Sequence, residues 1–294
     1  MSRKKSLEVF NSLDEEQKEI ISTKKISGNQ PASAWLERLK KVALMDHYGD
    51  TYRKNQTYII FMILIGIGGI ILTIVSLTNG FYFGLIIPVL AVTGIVLIYK
   101  SFSKFASMDL ANHLRLFIVP LLAILKEESR KKEKIDLEVN LNDPCKEENI
   151  VETIPNSNKN YPKIKTTFYG IQWMSGKARL QDQTQLQWTV NDLVRKRDVT
   201  KKNPRGKIKY KTKYKVKHNV NLKLSIPKES YELVQDPNEN QPTNGPYKMG
   251  YSSSDRFHVF KIRSTDVSAT LDESIKLNHF LGIITKAYKH VKPI

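Results

Sequence analysis

KIKYKTKYKVKHNVNLKLSI, running from Lys207 to Ile226, sets lysines at six successive alternate positions: Lys207, Lys209, Lys211, Lys213, Lys215 and Lys217. Alternate residues of a strand point to opposite faces, so the stretch predicts one long β-strand carrying a lysine row. Tyr210, Tyr214, Val216, His218, Val220, Leu222 and Leu224 share its other side. The preceding segment, Gln185–Val199, also reads as a strand, and Asn203-Pro204-Arg205-Gly206 supplies the turn of a hairpin. Pairing Lys202 with Lys207 sets Val199 opposite Tyr210, whereas Trp188 and Leu186 need Leu222 and Leu224, one residue out of step. A β-bulge near Asn191–Asp192 would reconcile the two halves. That register sends Arg195 and Arg197 to the face of Tyr214 and Thr212 and makes the distal half basic on both sides. Residues 195–213 hold ten basic side chains against Asp198 alone. Such a ribbon resists burial and should project, over roughly 30 Å at about 3.4 Å per residue.

The rest of the chain is far less basic. Residues 164–226 contain 16 Lys and Arg against 3 Asp and Glu, and so carry most of the net +18 of the 294-residue chain. The single cysteine, Cys145, excludes an internal disulfide framework and any cysteine-based zinc or iron–sulfur centre.

The 45 residues from Asn55 to Tyr99 contain no charge at all. About 20 apolar residues cross a bilayer core, so this run has room for two spans, near 57–77 and 81–99, divided at Thr78-Asn79-Gly80. Arg38, Lys40, Lys41, Arg53 and Lys54 precede it, Lys100 and Lys104 follow it, and the turn has no basic residue. The positive-inside bias therefore predicts a multi-pass protein of the inner (cytoplasmic) membrane with both termini cytoplasmic. Met1–Lys18 has no apolar h-region of a cleaved signal.

Around this run the periodicity sets the organisation. Residues 1–54 should form cytoplasmic helices, one opened by a capping box at Ser12-Leu13-Asp14-Glu15 and one over Ser33–His47. The second gathers Trp35, Leu36, Leu39, Val42 and Ala43 on one face, fit either for a membrane interface or for the protein core. Residues 101–134 read as a stalk helix kinked near Pro120, with Asp109 and His113 at i,i+4. From Ile135 the period becomes 2, and residues 135–294 read as a β-rich domain. Its strands are expected at 135–141, 164–173, 177–181, 185–199 and 207–226, and more weakly at 231–234 and 257–263. Asp143–Lys163 and Pro237–Pro246 read as loops, and Thr270-Leu271-Asp272-Glu273 as the cap of a C-terminal helix over 271–291. The fold class is thus a membrane-anchored α+β protein: a two-helix transmembrane hairpin, a stalk, and a mostly antiparallel β domain with a long basic hairpin.

Catalytic signals are negative. Gly170 to Ala178 has five residues between its glycines where a P-loop has four, and Ala178 stands where a magnesium-holding hydroxyl belongs. No G-x-S-x-G, H-E-x-x-H or C-x-x-C occurs, and the six histidines lack metal-ligand spacing. His218, on the inward side of the long strand, is expected to be a hydrogen-bonded core residue. No catalytic, cofactor-binding or metal site is therefore expected. The site residues are those of the arm: Arg195, Lys196, Arg197, Lys201, Lys202, Arg205, Lys207, Lys209, Tyr210, Lys211, Lys213 and Tyr214. A solvated arm whose edge lysines discourage aggregation is one reading. Binding of nucleic acid, with phosphates on the lysines and bases on Tyr210 and Tyr214, is a second. Anionic lipid or an acidic protein is a third. The function this implies is a non-enzymatic integral membrane protein whose β domain holds a polyanion or acidic partner at the membrane face. The apolar hairpin sits in the lipid bilayer and offers a homo-oligomer contact. In architecture alone the chain also resembles two-span bacterial defence effectors, in which the β domain would sense a nucleotide or nucleic-acid signal.

Overall fold

The computed structural model describes residues 2–54, 57–81, 86–158, 161–237 and 247–294. They fall into two units, residues 1–22 with 41–109 and residues 23–40 with 110–294.

The first unit is helical: α1 (Ser2–Asn11), α2 (Glu15–Thr23), the later turns of α3 (Ala32–Lys54), α4 (Thr57–Thr78) and α5 (Ile86–Ser107). The cap of α2 lies two residues beyond its expected place. The backbone N–H of Gln17 donates to Asp14 Oδ1 at 2.7 Å and that of Asp14 to Gln17 Oε1 at 3.2 Å. Asp14 and Gln17 thus form the reciprocal box, while the Ser12 hydroxyl turns back to the Val9 carbonyl. Within α4, Ile60–Thr78 is long and apolar enough to cross a membrane, and its Ile, Leu and Phe side chains are almost all exposed. Gly80 ends it at φ +76°, a left-handed conformation suited to glycine. In α5 the apolar stretch is shorter, Ile86–Lys100; residues 82–85, where a second span was expected to start, lie outside the described residues. A Cβ on Gly69 would stand 2.8 Å from that of Ala91, so α4 and α5 approach closely there.

The second unit is built on an eight-stranded antiparallel sheet. Its strands are β1 (Lys25–Pro31), β2 (Lys134–Asn140), β3 (Ile150–Asn158), β4 (Tyr161–Arg179), β5 (Gln185–Lys202), β6 (Ile208–Pro227), β8 (Tyr247–Ser253) and β9 (Phe257–Ser268). The order is β1-β2-β4-β5-β6-β9-β8, with β3 also paired to β4. A separate two-stranded ribbon joins β7 (Tyr231–Leu233) to β10 (Val291–Pro293). Helices α6 (Val119–Glu128) and α7 (Leu277–Tyr288) cover one face of the large sheet. Phe117 meets Trp173 and Phe280 edge-on at 5.9 and 5.3 Å, and Phe280 meets Trp188 at 6.4 Å. The expected inward set of the hairpin, Leu186, Trp188, Val190, Val220, Leu222 and Leu224, is buried here.

One open expectation is decided and several others need correction. Trp35 and Leu39 are fully buried, and Trp35 Nε1 donates to the Ile135 carbonyl at 3.0 Å, so this face of α3 belongs to the protein core rather than to a membrane interface. The stalk is no single helix: α5 stops at Ser107, a π-helical turn follows at Leu114–Ile118, and α6 begins at Val119. Pro120 follows directly on this π-helical turn, in which the Val119 N–H donates to the Leu114 carbonyl, so the helical ladder is irregular where the proline lacks an N–H. The polar 143–163 segment contains β3, and β1 and β8 were also unforeseen, being short, polar strands stabilised by their neighbours. The last helix starts at Leu277, six residues after the expected position. Its first residues are engaged elsewhere: the Asp272 carbonyl accepts from Asn112, Ser274 bonds His113, and Asp266 Oδ2 accepts from the Lys276 N–H.

Candidate polyanion-binding face

The turn between β5 and β6 sets the register of the basic arm. Gly206 N–H donates to the Asn203 carbonyl at 2.9 Å, and Asn203 N–H to the Lys207 carbonyl at 3.0 Å. The Asn203 side chain accepts from the Lys207 N–H, and Gly206 is left-handed at φ +79°. This is a three-residue loop, a tight turn closed by a glycine bulge. Asn203 therefore faces Lys207, and Lys202 pairs with Ile208. One register then runs unbroken from Lys202↔Ile208 to Gln185↔Ser225, with no bulge at Asn191–Asp192. The extra residue lies in β4 instead, between Gln172 and Met174, where it lets Trp173 and Met174 both turn inward.

The corrected register redistributes the twelve arm residues. Arg195 pairs with Lys215, Arg197 with Lys213, and Lys201 with Lys209. With Lys211 they form one exposed face, so Arg195 and Arg197 join the lysine row rather than the tyrosines. Lys196, Lys202, Tyr210 and Tyr214 occupy the opposite face, and Arg205 and Lys207 the loop. Lys196 lies 3.9 Å from Asp198, whose carboxylate also accepts from Thr212. The arm is also wider than a two-stranded ribbon, since β4 pairs with β5 as far as Thr200. The other edge of β6 has no β9 partner before Val216.

Residues absent from the expected site continue this face into the body of the sheet. Lys217 and Lys223 stay in phase along β6, Lys223 pairs with Lys261, and Arg263 pairs with Lys248. Lys177, Lys223, Lys261 and Arg263 border an open groove of about 520 Å³, with Asp136 and Glu138 at its β2 end. The unbroken alternation of β6 carried the signal for Lys223; Lys261 and Arg263 needed the pairing. Five like-charged pairs thus stand directly opposite one another on the exposed face turned away from α6 and α7. Such pairs destabilise a sheet unless counter-charge meets them.

The other face holds a buried polar node. Asp192 Oδ1 accepts from Trp173 Nε1 at 2.9 Å and contacts His218 Nδ1 at 2.8 Å. His218 Nε2 lies 3.2 Å from Ser268 Oγ, and that hydroxyl donates to the Thr270 carbonyl at 3.1 Å. His113 stacks on Trp173 at 4.2 Å, with Nδ1 2.8 Å from Ser274 Oγ and Nε2 3.8 Å from Asp192 Oδ2. Burial pulls its pKa down to about 4; Asp192 opposes the shift and His218 adds to it. Ser268, His218 and Asp192 follow the order of a hydrolytic triad. Ser268, however, is only 6% exposed and its proton points to a backbone carbonyl, an arrangement for packing rather than nucleophilic attack. His218 is the core histidine that its strand position implied. His113 turns to this node, while Asp109 brings its carboxylate within 4.8 Å of those of Asp46 and Asp50.

A cavity of about 490 Å³ is lined by α6, α7 and the Leu180–Asp182 turn, mostly with leucine and isoleucine. Its polar end is Asp182, whose Oδ2 accepts from the hydroxyls of Tyr231, Tyr288 and Thr184 and whose Oδ1 accepts from the Thr184 N–H. Burial, with Asp182 adding to it, pushes both phenols above their ordinary pKa. The carboxylate is saturated by four protein donors and ties the turn to β7 and α7.

Compared with known proteins, the chain matches no protein-family model, no curated protein and no solved structure.

Proposed function

We propose that the chain is a non-enzymatic membrane-anchored protein whose sheet unit binds a polyanion or acidic partner at the cytoplasmic face of the inner membrane. One observation carries the reading: Arg195, Arg197 and Lys201 stand directly opposite Lys215, Lys213 and Lys209 on an exposed face. Opposed like charges favour counter-charge from a partner. The anchor reading rests on the exposed apolar helix Ile60–Thr78 and on the basic flanks of the charge-free run, whose positive charge favours a cytoplasmic side for both termini.

The test uses the full chain in detergent, retained on immobilised heparin as a generic polyanion. Reversing Lys209, Lys211, Lys213 and Lys215 to Glu should weaken retention at least about tenfold, since each neutralised anion adds to salt-dependent affinity. The variant should remain with the membrane fraction after alkaline extraction. Undiminished retention would remove the arm's role, and release of the wild type by alkali would remove the anchor.

A further inference from the structure

We infer that the polyanion is the headgroup layer of an anionic lipid membrane, and that its footprint extends from the arm onto the body of the sheet at Lys223, Lys261 and Arg263. The inference rests on the proposed polyanion reading and deepens it.

Three features select lipid among polyanions. First, the basic groups spread in two dimensions. They follow β6 from Lys209 to Lys223, about 48 Å at about 3.4 Å per residue, and cross to β9 and β8 through Lys223↔Lys261 and Arg263↔Lys248. A charged plane matches such a spread, whereas one strand of nucleic acid follows a single line. Second, aromatic rings are sparse on the face. The register sends Tyr210 and Tyr214 to the opposite side, and among the described residues these strands set Phe168, opposite Arg195, and Phe257, at the far end of β9, on the side of the lysine row. Non-specific single-strand binders stack successive bases on rings interleaved with the basic groups, whereas these two lie far apart. Third, the same chain carries the exposed apolar helix Ile60–Thr78, long enough to cross a bilayer, and the proposed anchor would hold the sheet unit beside one. Basic residues held near an anionic leaflet gain attraction that falls off within a Debye length.

The experiment places the full chain in nanodiscs of phosphatidylcholine and measures its capture on vesicles. One set is phosphatidylcholine alone, the other contains phosphatidylserine; a labelled DNA duplex and a single-stranded RNA are offered separately. Capture on phosphatidylserine vesicles should exceed that on neutral vesicles at least tenfold and decline with salt. It should drop at least fivefold in K223E/K261E/R263E, and equally in the corresponding Gln variant, which relieves the like-charge pairs and so serves if the Glu variant fails to fold. Equal capture on both vesicle types overturns the lipid assignment. Binding of DNA or RNA without vesicle capture also overturns it but leaves the polyanion reading standing; binding of neither, with heparin retention lost, overturns both. Unchanged capture by both body variants confines the footprint to the arm and overturns its extension.

Discussion

Replacing Asp192 by Ala tests how the core of the sheet unit is held together. Asp192 is 4% exposed, accepts the indole N–H of Trp173 at 2.9 Å and contacts His218 Nδ1 at 2.8 Å. Truncation leaves both nitrogens buried without that acceptor, at about 1–3 kcal/mol for each stranded donor. Breaking one partner of a buried pair falls in the same range, about 3–5 kcal/mol. For a unit of this size about 1 kcal/mol moves the midpoint by roughly 2–4 °C, so Asp192→Ala should lower it by roughly 6–20 °C. Tryptophan emission during thermal unfolding of the full chain in detergent reads the change, because Trp173 sits on the node. The partner variant separates this node from generic packing. With His218→Ala already present, Asp192→Ala strands one donor instead of two, and a coupling of about 0.5–3 kcal/mol should appear in the double-mutant cycle. A loss below about 0.5 kcal/mol for Asp192→Ala, or strictly additive losses in the cycle, would refute the reasoning.

The depressed His113 adds a pH signature. Its pKa of about 4 lies below the ordinary 6.5, so between those values the unfolded chain binds the extra proton. Stability from this group is therefore complete above pH 6.5 and is lost as pH falls towards 4, by up to roughly 3 kcal/mol. In His113→Phe, which keeps a ring beside Trp173, the midpoint should vary less with pH across that window; an unchanged slope would count against it. Two glycines should respond in opposite directions. A Cβ on Gly176 would stand 2.3 Å from Trp188 Cζ2 and 2.9 Å from the Asp136 carbonyl oxygen, so Gly176→Ala should lose about 1–3 kcal/mol by overpacking. At Gly282, inside α7 with nothing within 4 Å, Ala should gain about 0.5–1 kcal/mol; denaturant midpoints compare the two.

Much of the fold was legible wherever a local rule acts alone. The period-2 pattern of Lys207–Ile226 became β6, its inward residues were identified correctly, and the charge-free run contains one helix long and apolar enough to cross a membrane, Ile60–Thr78. Local rules failed where tertiary partners competed. Thr270-Leu271-Asp272-Glu273 has a cap's pattern, but Asn112, His113 and Asp266 engage the following residues and delay α7. β1 and β8 have little β-propensity of their own and are strands because β2 and β9 offer them an edge.

The basic face divides along the same line. Sequence by itself determined that positive charge gathers at residues 164–226 and that the lysines alternate along one strand, because strand alternation is a property of the backbone. Only the tertiary structure decided which charges share a face. A left-handed Gly206 moved the pairing by one residue, and a one-residue change of register carries every opposing side chain to the other side of a sheet. That step set Arg195 and Arg197 beside the lysines and the tyrosines apart from them. The pairing of β6 with β9 then brought Lys261 and Arg263, some forty residues along the chain, onto the same charged plane.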